Sequence, residues 1–169
     1  MSETSKSRDV LSKYCVGIGL DIGCGGDKVV PEAWGFDMVV PYTKVGSDVQ
    51  QLRGSCKDLS FICDSSLDYI YSAHLLEDFS YQDLEGILKE WRRVLNDGGL
   101  IITNCPDQQR FLAHCSATGQ SINDNHYEPS FSLDSFKRVL FCVGDWEVVE
   151  EVAEHGPYSW LLVVRKKLA

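Results

Sequence analysis

The feature that most constrains the fold of this chain is a short apolar run that ends abruptly in glycines, Leu20–Gly26 (LDIGCGG). Residues 16–22 carry no charge before Asp21, which favours a strand buried on both faces. Gly23 and Gly25 then allow a sharp turn and a close approach of the backbone to a ligand. Such a turn is typical of doubly wound α/β domains that bind a nucleotide-like ligand, although a tight turn without a ligand explains this stretch equally well.

Composition narrows the class of protein. The chain has 169 residues, of which 44% are hydrophobic and 24% charged, as expected of a single globular domain over residues 1–169. The net charge of -9 argues against nucleic acid or an anionic membrane as the main partner, and no apolar stretch approaches the ~20 residues of a membrane span. Seven cysteines, none in a CxxC pair, indicate reduced thiols in a cytoplasmic protein and no disulfide frame or metal site.

Hydrophobic periodicity predicts strands that alternate with helices. The clearest helix follows Ser80, with Asp83 as a capping-box partner, and stops at Asn96–Gly99. Residues 1–8 are expected to be disordered, and 108–130 to form a covering loop. Strands are predicted at 16–22, 36–40, 48–53, 67–72, 100–103, 146–153 and 159–165, and a second helix from Ser132 to near Gly144. The pattern favours an α/β, doubly wound, Rossmann-like, mainly parallel sheet with an antiparallel last strand and helices on both faces.

Six short phrases of the sequence occur in an order that points to one family. They are DIGCG (21–25), GFD (35–37), DLSF (58–61) with SLDYIYS (66–72), HLLE (74–77), KEWRRVLNDGG (89–99) and CPD (105–107). In these phrases the chain resembles a class I S-adenosylmethionine-dependent methyltransferase of the small, type-11-like kind. Each phrase alone is weak, but six in the family's order make a specific signal over about residues 16–107.

The resemblance implies S-adenosylmethionine as the cofactor and S-adenosylhomocysteine as the product. Asp37 would bind the ribose hydroxyls; it follows Gly25 by 12 positions, fewer than the roughly 20 of a dinucleotide fingerprint. Ser55 stands where relatives often carry an acid for the adenine, so backbone or Cys56 would supply that contact, and Asp27 replaces a third glycine. The expected cofactor-binding residues are Asp21, Gly23, Cys24, Gly25, Asp37, Met38, Ser55, Cys56, Ser72, Ala73 and His74.

Two of these residues have a second interpretation. Asp21 either attracts the ammonium of the methionine moiety or only holds the amides of the turn. Cys24 is better explained as a small residue that fits the turn than as a reactive thiol.

Candidate catalytic residues follow from the chemistry of methyl transfer. The reaction is a direct displacement at a sulfonium, so the enzyme mainly aligns the reactants, and a base is needed only if the acceptor arrives protonated. His74, His126 and Tyr127 are the candidates; a structural role for His74 and a solvated loop position for His126 are the alternatives. The adjacent carboxylates of Glu77 and Asp78 are expected to be exposed charges.

We therefore expect a methyltransferase acting on an unidentified small-molecule or protein acceptor. Because few residues precede the first strand, the site should be open, and a protein partner or a homodimer would complete it. The alternative is a non-catalytic, methyltransferase-like binding or regulatory subunit. A nicotinamide-dependent oxidoreductase shares the glycine turn but lacks the longer spacing and a Tyr-x-x-x-Lys pair, and it ranks last.

Overall fold

The computed structural model describes residues 2–41 and 44–168, which fold around one mixed sheet. In this part of the chain the sheet has seven strands, in the order β3-β2-β1-β4-β5-β7-β6. The strands are β1 Gly19–Ile22, β2 Trp34–Asp37, β3 Gln50–Arg53, β4 Leu67–Ala73, β5 Leu95–Pro106, β6 Trp146–His155 and β7 Ser159–Lys166. The helices are α1 Glu3–Leu11, α2 Tyr81–Val94, α3 Gln108–Thr118 and α4 Leu133–Val143, with single 3-10 turns at Ser12–Tyr14 and Leu76–Asp78.

Strand direction confirms the predicted sheet. The first five strands are parallel, whereas β7 runs antiparallel to both β5 and β6. Strand β1 pairs with β2 on one side and β4 on the other, so the order of the sheet reverses there. In open α/β sheets, ligands bind beyond the carboxyl ends of the strands at such a reversal. The fold is the predicted Rossmann-like α/β class with antiparallel last strands.

Helices cover both faces of the sheet, as predicted. In β4, Ile70 faces the hydrophobic core formed with α2 and α4, whereas Tyr69 and Tyr71 face the core that includes Leu11 of α1. This alternation follows from the two-residue period of a strand. On α2, Trp91 is fully buried and its indole nitrogen donates to the Cys56 carbonyl at 3.1 Å, which ties the helix to the loop after β3.

The predicted start of α2 is confirmed. Ser80 accepts a hydrogen bond from the Asp83 backbone at 3.1 Å and has the extended backbone of an N-cap. The apolar positions of the helix, Leu84, Ile87, Leu88 and Trp91, are all buried. Each such side chain contributes roughly 1.5–3 kcal/mol on burial, which outweighs the cap.

The first three connections between parallel strands differ from the usual crossover, which contains a helix. Among the described residues between β1 and β4, the structure assigns no helix. Val29 and Ala33 of the first connection cover the sheet instead, both 1% exposed, in the same core as Leu11. The Lys28 ammonium turns back into this connection and donates to the carbonyls of Pro31 and Ala33 at 2.6 and 2.9 Å. A loop held by these hydrogen bonds thus covers the face of the sheet where a crossover helix usually packs.

The expectation of disorder at residues 1–8 is wrong for residues 2–8, and Met1 lies outside the described residues. Residues 3–8 belong to α1, and Ser2 is its N-cap and accepts from the Ser5 backbone at 2.9 Å. Thr4 and Ser7 face inward with Leu11. The Ser7 hydroxyl lies 3.2 Å from the Tyr71 hydroxyl in the sheet. Because two of these buried residues are polar, the segment lacks the apolar stripe that would have predicted a packed helix.

Several other bounds differ from the predictions. Strand β1 begins at Gly19 instead of residue 16, and β3 at Gln50 instead of residue 48. Half of the segment expected to be a loop, 108–130, is α3, which Asp107 caps and Gly119 ends in a left-handed conformation. Strand β2 ends at Asp37, so Met38–Val40 lies beyond it and is exposed. Strand β5 begins at Leu95, and the expected turn at Asn96–Gly99 is an irregular stretch within it. None of the helices in the described residues is long and apolar enough to cross a bilayer.

Candidate functional site

The glycine turn opens the site at the carboxyl end of β1. Gly23, Gly25 and Gly26 have φ values of 78°, 53° and 81°, in the left-handed region that favours glycine. The Gly23 N–H donates to the Phe36 carbonyl at 2.8 Å, which holds the turn against β2. A Cβ on Gly26 would lie 2.6 Å from the Gly46 carbonyl oxygen. The turn therefore depends on glycine for its conformation and, at Gly26, for space.

Asp37 meets this turn at the end of β2. The Gly25 N–H donates to one carboxylate oxygen at 2.9 Å, and the Met38 N–H donates to the other at 2.8 Å. An ionised carboxylate offers about four acceptor positions, so two remain for a ligand. The neighbouring hydroxyls of a ribose would suit these two positions.

A cavity of about 510 Å³ lies over the two features. Its volume falls within the range of small-molecule sites. What we call the turn half is lined by Gly23, Cys24, Gly25, Phe36, Asp37, Met38, Ser55, Cys56 and Phe79. What we call the acceptor half is lined by Ser2, Glu3, Thr4, His74, Asp78, Phe111, Asn123, Asn125, His126 and Tyr158.

Ten of the residues predicted from the sequence line this cavity, and three do not. The ten are Gly23, Cys24, Gly25, Asp37, Met38, Ser55, Cys56, Ala73, His74 and His126. Ser72 is fully buried inside β4, and Tyr127 is 64% exposed with its N–H bonded to the Glu77 carbonyl at 2.9 Å. Asp21 is 1% exposed and accepts from the Val29 backbone at 2.6 Å. The loop-holding interpretation of Asp21 therefore fits the geometry.

Burial raises the pKa of two residues that the sequence predicts as cofactor-binding, Asp21 and Cys24. It raises the pKa of Asp21 to about 7, against the lowering effect of the Val29 N–H. It raises the pKa of the Cys24 thiol to about 11, so this cysteine is a neutral thiol at physiological pH and not a nucleophile. Cys24 acts as a small side chain that fits the turn.

His74 lies between the two halves, directly after β4, with a left-handed φ of 50°. Its Nε2 is 3.1 Å from the Ser159 hydroxyl and 3.4 Å from a Glu3 carboxylate oxygen, and its Nδ1 is 3.4 Å from Glu77. Burial lowers the pKa of His74 to about 4, although Glu3 opposes the shift. The ring is therefore neutral at physiological pH and is a weak base, although one nitrogen keeps a lone pair.

The expectation that Glu77 is an exposed charge is wrong. Its side chain is 1% exposed, and burial, with the neighbouring Asp78 charge, raises its pKa well above the usual range. Glu77 lies in the 3-10 turn after β4. One of its carboxylate oxygens is 3.4 Å from Nδ1 of His74 and 3.8 Å from Nε2 of His126. Charged residues are buried so rarely that a sequence pattern does not predict this position.

Glu3, Phe111 and Tyr158 are among the residues of the acceptor half that the sequence does not predict. The Tyr158 hydroxyl donates to Glu3 at 3.0 Å, which joins the hairpin before β7 to the first turn of α1. The ring of Phe111 on α3 lies edge-on to Tyr158 at 5.2 Å between ring centroids. Glu3 and Phe111 come from segments expected to be disordered and to form a loop, and Tyr158 directly follows the expected hairpin break. Only the aromatic character of Phe111 and Tyr158 could have marked them, and nothing in the sequence marks Glu3.

Comparison with known proteins agrees with this geometry. A family described as a methyltransferase domain matches residues 20–103. With the sheet order and the turn-acid pair, this identifies a class I S-adenosylmethionine-dependent methyltransferase domain. The matched segment runs from the second residue of β1 into β5, so it includes all of β2, β3 and β4.

Solved structures of the same fold span nearly all of the chain. A SAM-dependent methyltransferase from Thermotoga maritima superposes with a TM-score of 0.70 at 19% identity, over 98% of this chain and 88% of that one. One from Archaeoglobus fulgidus gives a TM-score of 0.69 at 14% identity, over 96% and 92%. A Haloferax volcanii methyltransferase, in complex with the activator Trm112, gives 0.70 at 15% identity, over 99% and 89%. No curated protein sequence matches the chain significantly.

Proposed function

We propose that this protein is an S-adenosylmethionine-dependent methyltransferase that transfers a methyl group to a small-molecule or protein acceptor. The observation that carries the proposal is the hydrogen bond of the Gly25 N–H to Asp37 at the wall of the cavity. It brings a carboxylate with unused acceptor positions next to a glycine turn at the switch point of the sheet. These are the two features that an adenosyl group with a charged amino-acid tail requires.

The lining residues fit S-adenosylmethionine. Asp37 would accept the ribose hydroxyls, while Ser55 and Cys56 border the space for the adenine. The backbone of Gly23–Gly25 would lie along the methionine moiety, where a Cβ on Gly23 would reach 3.2 Å from Leu75. When bound, the cofactor supplies a methyl group activated on a sulfonium.

The chain's own residues align the acceptor and exclude water. Helix α1 and the ring of Tyr158 close one side of the acceptor half, and Phe111 and His126 close another. Catalysis in such a site comes mainly from positioning. His74 and His126 are the imidazoles available to an acceptor that needs to lose a proton.

Two measurements on one preparation test the proposal. Calorimetric titration with S-adenosylhomocysteine should give one site with a Kd in the micromolar range, and labelled S-adenosylmethionine should transfer its methyl group to a component of a cell extract. Binding without transfer to any fraction would favour the non-catalytic subunit. Absence of both would overturn the assignment.

We also propose that this methyltransferase binds a protein partner. Large apolar side chains are exposed along the connection between β2 and the edge strand β3: Val39, Val40, Val45 and Val49, at 65%, 80%, 52% and 68%. Clustered exposure of this kind marks an interaction surface. Because the Haloferax volcanii neighbour was solved with its activator, we propose an activator of the Trm112 kind as the occupant.

Co-expression with the Trm112-type protein of the same organism tests this occupant. The two chains should co-elute, and Val40→Lys should separate them. Val16→Lys is the matched control, because Val16 is 73% exposed but lies before β1, at the other end of the strands. A chain that elutes alone, or as a homodimer by light scattering, would contradict the activator.

A further inference from the structure

Three side chains of metal-ligand type converge beneath the acceptor half. Glu77, Asp78 and His126 each place one ligand atom within 4.8 Å of the other two. The two acids lie in the 3-10 turn after β4, and His126 comes from the segment between α3 and α4. The hydrogen bond from the Tyr127 N–H to the Glu77 carbonyl, at 2.9 Å, holds these two segments together. The cluster is therefore held by the fold and is not a chance meeting of surface charges.

The imidazole of His126 is oriented as a ligand. Its Nδ1 lies 2.6 Å from the amide oxygen of Gln108, so Nδ1 carries the proton and Nε2 keeps its lone pair. That Nε2 is 3.8 Å from a carboxylate oxygen of Glu77. Gln108 is itself 6% exposed, and its N–H bonds to the Phe131 carbonyl at 2.9 Å. A buried acceptor that fixes the other ring nitrogen is characteristic of metal-bound histidines.

The Glu77 carboxylate lacks a compensating cation. One of its oxygens has no hydrogen-bond partner among the described residues, although the side chain is 1% exposed. Among the ion pairs of the described residues, those of Glu77 are with His74 and His126, and none is with a lysine or an arginine. A buried carboxylate in this state is costly unless a partner supplies positive charge.

We propose that Glu77, Asp78 and His126 bind a divalent transition-metal cation such as Zn²⁺. Two carboxylate oxygens and one imidazole nitrogen are a ligand set that Zn²⁺ accepts, and three protein ligands leave one position open. Asp78 and His126 line the cavity, so the open position faces the acceptor half. The proposal does not depend on methyl transfer, because the cluster binds the cation through its own side chains.

Zn²⁺ titration by calorimetry tests the site. The protein used is the full chain with Cys63→Ser and Cys142→Ser, because these two thiols are exposed and would bind Zn²⁺ themselves. One Zn²⁺ should bind per chain. Glu77→Gln, which keeps the shape and removes the charge, should weaken binding at least 100-fold while the Tm stays the same or rises. Gln108→Leu, which removes only the partner of His126, should weaken binding roughly 10- to 100-fold.

His114 provides the matched control. Its ring lies 5.2 Å from that of Tyr158, which lines the acceptor half, but His114 lies outside the cluster. His126→Gln should weaken Zn²⁺ binding at least 100-fold, and His114→Gln should leave the Kd within threefold of the parent. Absence of Zn²⁺ binding to the parent would overturn the proposal. So would equal losses in the two histidine variants, or a Glu77→Gln protein that binds as tightly as the parent.

Discussion

Replacing Asp37 by asparagine removes one negative charge from the point where the glycine turn and β2 meet. Both oxygens of this carboxylate accept a backbone N–H, from Gly25 at 2.9 Å and from Met38 at 2.8 Å. In the asparagine variant, one of these N–H groups must face an NH₂ group. A lost charge-assisted bond and an unsatisfied donor together cost about 1–3 kcal/mol of folding free energy.

The loss in cofactor affinity should be of similar size. Hydrogen bonds to a charged group are worth roughly 1.5–3 kcal/mol each, and the amide keeps at most one neutral acceptor for two ribose hydroxyls. A net loss of about 2–3 kcal/mol corresponds to a Kd roughly 25- to 150-fold higher. Calorimetry with S-adenosylhomocysteine measures this change, and a thermal melt of the same sample reports the loss of stability.

Asp48→Asn is the control for indirect effects. The Asp48 carboxylate also accepts a backbone N–H, from Lys28 at 2.8 Å, in a loop beside the turn, but it does not line the cavity. We expect its Kd to stay within threefold of the wild type. A folded Asp37→Asn protein with a Kd within threefold would refute the ribose role, and equal losses in both variants would show that the acids act only through the loop.

Two further predictions concern the turn. Gly23→Ala should destabilise the fold by about 1–2 kcal/mol and weaken cofactor binding, because φ is +78° and the new Cβ would meet Leu75 at 3.2 Å; Gly98→Ala, with φ +79° and open space, should cost stability without changing the Kd. Asp21→Asn should change how stability varies with pH. Burial raises the pKa of Asp21 in the folded protein from its ordinary value of 3.8 to about 7, so between these values the folded wild type binds a proton that the unfolded chain has lost. The wild type should therefore lose stability, on the order of 4 kcal/mol, as pH rises from about 4 to about 7. The stability of the variant relative to the wild type, measured by urea unfolding, should therefore grow over this window, and a constant difference would contradict the pKa of Asp21.

The part of the site that the sequence predicts is the part made by local geometry. Gly23 and Gly25 are recognisable because a left-handed turn needs glycine, and Asp37 because it ends the next strand. The Ser80 cap of α2 is recognisable because the first turn of a helix needs a side-chain acceptor for its free N–H groups. At each of these positions the local backbone conformation restricts the residue type, so a short sequence pattern predicts the feature.

The part that the sequence misses is made by long-range packing. Glu77 looks like a solvated acid beside Asp78, and only the fold shows that a loop from beyond α3 covers it. Helix α1 looks disordered, because Thr4 and Ser7 are buried by contact with the sheet and with β5 instead of by an apolar stripe. Such positions depend on residues that lie up to about a hundred positions away in the chain.

Helix α1 connects the two halves of the site. The carboxylate of Asp27, which follows the glycine turn, accepts from Ser2 and pairs with Arg8 at 2.5 Å. The same helix places Glu3 against Tyr158 and His74 in the acceptor half. The helix that closes the acceptor half is therefore also the one that holds the turn, so order in α1 and order in the turn should be gained and lost together.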